Sequence, residues 1–251
     1  MLESLQGRLI FGRPTRIRPL VPGPHDGTYQ VTPHRLERPG GVVLEGWSST
    51  PIDEPARQVM LYFGGRNENV VWAADMASFN RGLAVYAFNY RGFGASTGRA
   101  CERHAKLDGQ AIHDFVSGRE VMARMVIAGR SLGTALALWL AHQTRPSRLV
   151  LMSPFENVPA VVRERRFGWA AAAVTTQRFA CEALAAGYAG ATLLLMSETD
   201  TSIPHPHSLR LAARLSIAPL VQTIAGTTHR SLPRSPGAQA AIAAFLASTR
   251  A

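Results

Sequence analysis

The run Arg124-Met125-Val126-Ile127-Ala128-Gly129-Arg130-Ser131-Leu132-Gly133-Thr134-Ala135-Leu136-Ala137-Leu138-Trp139 decides how the rest of the chain is read. Arg124 to Ala128 is a short apolar run of strand length, and Leu132 to His142 is a strongly apolar stretch of helical length. Between them lies Gly129-x-Ser131-x-Gly133. A strand that turns at once into a helix leaves the residue at the turn exposed at the sheet's end, and flanking glycines let the turn close against its neighbours. Ser131 is therefore the candidate nucleophile. A second copy of the pattern, Gly94-Ala95-Ser96-Thr97-Gly98, lacks this setting. Its strand has ended at Phe88, a glycine-rich loop intervenes, and no helix signal follows directly. Ser96 reads as structural.

Outward from Ser131, strands and helices alternate. Gly41 to Trp47, Gln58 to Phe63, Leu83 to Phe88, Ser147 to Met152, Thr192 to Ser197 and Leu220 to Ala225 read as strands. Val70 to Arg81, Ala105 to Val116, His207 to Leu215 and Ala238 to Ala247 have helical spacing. Unbroken apolar strands between helices predict an α/β fold, with a mainly parallel sheet and helices on both faces. The first 40 residues, rich in Pro, Gly and Arg, read as irregular chain with one edge strand near Thr28 to Leu36. One domain over residues 1–251 is expected, with a mixed insertion at about 153–190.

Composition removes several classes. Of 251 residues, 46% are hydrophobic and 18% charged, which excludes a disordered chain. No apolar run reaches the roughly 18 residues of a membrane span. The start, Met1-Leu2-Glu3, carries no basic and apolar leader, so a cytoplasmic protein without a stable membrane anchor is expected. The formal net charge is +10, yet Lys106 is the only lysine, and the arginines are scattered apart from Arg163, Arg165 and Arg166. With no zinc spacing, aromatic RNA motif or basic helix, a nucleic-acid partner is not expected. Cys101 and Cys181 match neither a disulfide framework nor a metal site and read as free, buried thiols. At Gly92-x-Gly94 no helix opens, so a dinucleotide site is not expected there.

A serine hydroxyl needs a base to take its proton, and the base needs an acid to orient it. After a strand–serine–helix elbow the order along the chain is serine, acid, histidine. His229 stands just past a strand, at the sheet end where such sites lie, and is the candidate base. His142 falls on the helix that starts at the elbow; His205 and His207 open a later helix and border the pocket at most. Asp200, in the turn-forming stretch Asp200-Thr201-Ser202-Ile203-Pro204, is the first candidate acid, with Glu156 and Glu198 as alternatives. The developing oxyanion needs two N–H donors. Leu132 offers one at the helix start, and Arg66, in Phe63-Gly64-Gly65-Arg66-Asn67, offers the other. No cofactor and no metal are required.

Taken together, Phe63-Gly64-Gly65, Asn89-Tyr90-Arg91-Gly92-Phe93-Gly94-x-Ser96, Gly129-x-Ser131-x-Gly133, Asp200 and His229 resemble the α/β-hydrolase superfamily, and within it the serine-aminopeptidase-like and depalmitoylase-like branch. The likeness runs from about Gly41 to the C-terminus. It departs at Arg66, where relatives often carry Asn. The resemblance implies an α/β-hydrolase fold with a small helical cap at about 153–190. It also implies a serine hydrolase acting on a small-molecule carboxylic ester or thioester, with peptidase, acyltransferase or a non-catalytic binding role as alternatives. Phe155, Phe167, Trp169 and Phe179 in the cap are either walls of an acyl pocket or core. Arg163, Arg165 and Arg166 are either a solvated face or a contact for an acidic substrate.

Overall fold

A computed structural model describes residues 2–12, 27–121, 125–164 and 172–248. One sheet of eight strands organises them, in the order β1-β2-β4-β3-β5-β6-β7-β8. These are β1 (Tyr29–Arg38), β2 (Val42–Pro51), β3 (Gln58–Phe63), β4 (Leu83–Phe88), β5 (Met125–Arg130), β6 (Arg148–Met152), β7 (Ala191–Thr199) and β8 (Leu220–Thr228). β1 and β2 are antiparallel, as are β2 and β4; every other neighbouring pair is parallel. The expected α/β fold with a mainly parallel sheet is the fold observed.

The central strands are buried along their whole length because both faces of the sheet are covered. Side chains alternate across the pleat, so β3 sends Leu61 and Phe63 into one core and Met60 and Tyr62 into the other. The first core holds α1 (Leu2–Phe11), α2 (Glu102–Ser117), α3 (Leu132–Thr144) and, from between β6 and β7, α4 (Val158–Arg163) and α5 (Cys181–Ala185). α6 (His205–Ala212) joins them through Leu211. The second core lies under the 3-10 helix Val70–Phe79 and α7 (Pro236–Ala247).

Two expectations are corrected. The first 40 residues are not wholly irregular, because Leu2–Phe11 is a helix. A ten-residue helix containing Gly7 is marginal alone, and tertiary contacts hold it. Phe11 is 1% exposed and meets the edges of Tyr90 and Phe179 at 5.2 and 6.0 Å. The Gln6 side chain donates to Val174 O and accepts from Thr176 N–H. The stretch Val70 to Arg81 winds as a 3-10 helix that ends at Phe79, where Asn80 leaves helical geometry. Of the residues named in the segment between β6 and β7, Arg165, Arg166, Phe167 and Trp169 lie outside the described set.

Gly133 fixes how closely α3 approaches the sheet. A Cβ there would lie 2.1 Å from Phe63 O and 2.5 Å from Gly64 O, both backbone atoms that cannot step aside. Gly118, at the end of α2, has only carbonyl oxygens at 3.9 Å and an ordinary helical φ of −75°. Gly133→Ala is therefore expected to lower stability by about 1–3 kcal/mol, the range for overpacking a core. Gly118→Ala should stay within roughly 0.5 kcal/mol. Urea midpoints that fall equally for the two would refute this packing argument.

Candidate active site

Parallel β5 delivers the chain to Ser131, and α3 begins at the next residue. Ser131 has φ +49° and ψ −119°, a conformation that a non-glycine residue adopts only at a cost of about 1–3 kcal/mol. Neighbouring backbone supports it: Ser131 N–H donates to Met152 O at 2.8 Å, and Thr134 N–H donates to Ser131 O at 2.9 Å. The hydroxyl does not cap its own helix. The first N–H groups of a helix lack internal partners and carry the positive end of its dipole, so Leu132 N–H is of this kind.

Asp200 follows the parallel portion of β7, and His229 follows β8. Parallel strands place both at the same sheet end as Ser131. His229 Nδ1 and Asp200 Oδ2 are 2.8 Å apart, and the Asp200 side chain is 1% exposed. The carboxylate also accepts from Ser153 Oγ at 2.8 Å, Ser197 Oγ at 3.2 Å, Ser202 N–H at 3.0 Å and Ile203 N–H at 2.8 Å. Burial pushes this carboxyl upward, but the hydrogen bonds from His229, Ile203 and Ser153 prevail and hold it at about 2. It is thus an anion whose place is fixed by five donors, with the imidazole as one of them.

The alternative acids are engaged elsewhere. Glu156 accepts from His207 Nδ1 and from Arg210 Nε, both at 2.7 Å. Glu198 accepts from Gly226 N–H at 2.9 Å. His207 is fully buried in that cluster and His205 contacts Ser197 O, so neither borders the cleft as read from the sequence. Ser96 is also engaged: its hydroxyl donates to Asn89 O at 3.1 Å and accepts from Glu45 N–H at 2.9 Å. Cys101 and Cys181 are free and buried.

Ser131, Leu132, Arg66 and His229 line one cleft of about 1210 Å³. The structure joins His229 to Asp200, while no hydrogen bond links Ser131 to His229 among the described residues. One wall is apolar: Ile10 from α1, Phe155, and Val158, Val161 and Val162 in and beside α4. Phe179 packs in the core instead. Exposed arginines Arg66, Arg230 and Arg234 edge the cleft, Arg234 stacking 4.8 Å over the Trp72 ring. Sequence reading passed over two further lining residues, Glu68 and Arg130, which form a buried ion pair at 2.7 Å. The available signal was an acid in the loop after the strand Gln58–Phe63 and a base at the end of the strand Met125–Arg130, beside Ser131.

The depressed Asp200 carboxyl gives a pH signature. Its contribution to stability is complete above its ordinary value of 3.8 and is lost as pH falls through about 2. The gap in urea midpoint between wild type and Asp200→Asn should therefore be wide at neutral pH and close as the pH falls from about 4 toward 2. A gap constant across that window would contradict the assignment of the shift.

Comparison with known proteins agrees with this architecture. A family model described as serine aminopeptidase, S33, matches residues 54–180, half of the chain. An uncharacterised protein of Mycobacterium tuberculosis is 33% identical over 130 residues, covering 50% of this chain and 46% of its own. The lysophosphatidylserine lipase ABHD12 of Gallus gallus is 35% identical over 91 residues, 34% of this chain and 24% of its own. The chain spans about half or less of these curated relatives. Among solved structures, a Pyrococcus furiosus esterase superposes with a TM-score of 0.73 at 16% identity, over 93% of this chain and 96% of that one. An acetyl xylan esterase from Paenibacillus sp. R4 gives 0.66 at 20% identity, over 87% and 88%. With its mainly parallel sheet and strand–serine–helix turn, the chain belongs to the serine aminopeptidase S33 family of α/β hydrolases.

Proposed function

We propose that the protein is a serine hydrolase that cleaves carboxylic esters or thioesters through an acyl-enzyme on Ser131. The observation that carries this reading is the Asp200–His229 hydrogen bond, which sets His229 in the same cleft as a serine held at φ +49° on a helix start.

The geometry supports these steps. Asp200 holds the proton of His229 on Nδ1, which leaves Nε2 free to accept the Ser131 proton as Oγ attacks the acyl carbon. The Ser131–His229 contact closes on substrate binding, as catalytic hydrogen bonds often do. The carbonyl oxygen gains charge and is met by the N–H groups of Leu132 and Arg66. His229 then protonates the leaving alcohol or thiol. Water, activated by the same imidazole, attacks the acyl-enzyme, releases the acid and restores Ser131. No step draws on a metal or cofactor.

The apolar wall from α1 and the segment between β6 and β7 supports an acyl substrate, with that segment acting as a small cap over residues 153–190. The arginine rim favours substrates that also carry a negative charge, as the name of the lysophosphatidylserine lipase relative suggests for that protein.

A fluorophosphonate probe is expected to label wild type and Ser96→Ala and to leave folded Ser131→Ala unlabelled. Mass spectrometry placing the adduct on another residue, or finding none on folded wild type, would remove the proposal. Asp200→Asn should lower kcat on a nitrophenyl ester by about 10⁴-fold, since the imidazole then adopts the wrong tautomer. Near-normal turnover in that variant would move the acid elsewhere.

A further inference from the structure

The buried pair Glu68–Arg130 has a pattern of contacts that charge neutralisation alone does not require. Arg130 stands between Gly129 and Ser131, in the elbow itself. Its Nη1 donates to Glu68 Oε2 at 2.7 Å, and its Nη2 donates to the backbone oxygen of His229 at 2.8 Å. Glu68 Oε2 also accepts from Gly65 N–H at 2.6 Å. Glu68 Oε1 accepts from Tyr62 Oη at 2.8 Å and from Trp72 Nε1 at 2.9 Å. Four donors occupy the carboxylate, which has about four lone-pair sites. The two side chains are 10% and 8% exposed.

Three separate loops meet at this pair. Gly65 and Glu68 belong to the loop after β3, Arg130 to the end of β5 where it enters the elbow, and His229 to the loop after β8. A buried ion pair is a poor source of net stability, because desolvation offsets its attraction and an apolar pair of similar volume often does as well. Its planar fork, however, fixes two acceptors at once. We infer that Arg130 and Glu68 are positioning residues that lock the oxyanion loop, the Ser131 elbow and His229 into one register. The inference rests on the serine-hydrolase reading above.

Two consequences follow. His229 is held from both sides, at Nδ1 by Asp200 and at its backbone oxygen by Arg130. Gly65 N–H is committed to Glu68, so the next amide of that loop, on Arg66, is the one left to face an oxyanion. Neither residue touches substrate in this scheme; both act through the groups they hold.

The test compares Arg130→Lys, Glu68→Gln and the double variant with wild type. The readouts are kcat and KM on p-nitrophenyl butyrate, the melting temperature, and the low-field imidazole N–H proton resonance that Asp200→Asn is expected to abolish. Lysine keeps the charge but cannot span both acceptors, so Arg130→Lys should not rescue. Its kcat should fall by about 10²-fold, as for a displacement on the order of 1 Å. KM should stay within about twofold. The low-field resonance should broaden or shift, and the double variant should lose far less than the product of the single losses.

Wild-type kcat and an unchanged resonance in both single variants would overturn the inference, as would losses that simply follow melting temperature. If folded wild type is inert to ester and probe while the resonance still responds in Arg130→Lys, the hydrolase reading fails and the positioning role survives as a conformational one. If the resonance is also unresponsive, both fail.

Discussion

The structure depends on one constraint, the tight passage from β5 into α3. Ser131 must hold a positive φ for its hydroxyl to stand clear of both elements, and nothing local favours that. The support comes from close packing. Gly133 lets α3 settle against the end of β3, and Ser131 N–H reaches Met152 O on the neighbouring strand. Because β3, β5 and β6 are parallel, those contacts also set the positions of the loops that follow them. The strain is local, and the two cores on either face of the sheet hold it in place.

The carboxylates around this turn are buried but not left unpaired. Burying a carboxylate costs heavily unless donors surround it, and both buried carboxylates of the site are surrounded. Asp200 takes two hydroxyls, two backbone N–H groups and the imidazole. Glu68 takes a phenol, an indole, a backbone N–H and a guanidinium. Each carboxylate is thereby held still by several donors at once. The same low-dielectric surroundings push the Tyr62 hydroxyl well above its ordinary range, so it donates to Glu68 and keeps its proton.

The cleft owes its apolar wall to elements outside the sheet. α1 is anchored by Phe11 in the core and reaches the loop after β3 through its backbone: Arg66 Nε donates to Leu9 O, and Asn67 N–H to Phe11 O. Wall and loop are thus tied together. The remaining apolar side chains come from the start of the segment between β6 and β7, through Phe155 and the valines of α4. Among the described residues, no helix is long and apolar enough to cross a membrane.

Much of this was legible in the amino-acid sequence, for local reasons. Apolar runs such as Gln58 to Phe63 and Leu83 to Phe88 became strands with those bounds, because burial on both faces demands unbroken hydrophobicity. The order of Ser131, Asp200 and His229 along parallel strands was enough to nominate all three. Other features needed the tertiary structure. Leu2–Phe11 has too short and too polar a pattern to announce a helix, and only docking stabilises it. Glu156 and Asp200 both follow strands, and only the fold shows that Glu156 is engaged by His207 and Arg210 while Asp200 meets His229. The Glu68–Arg130 pair joins residues 62 positions apart. No local rule links them, because an ion pair's register is set by how two strands lie side by side.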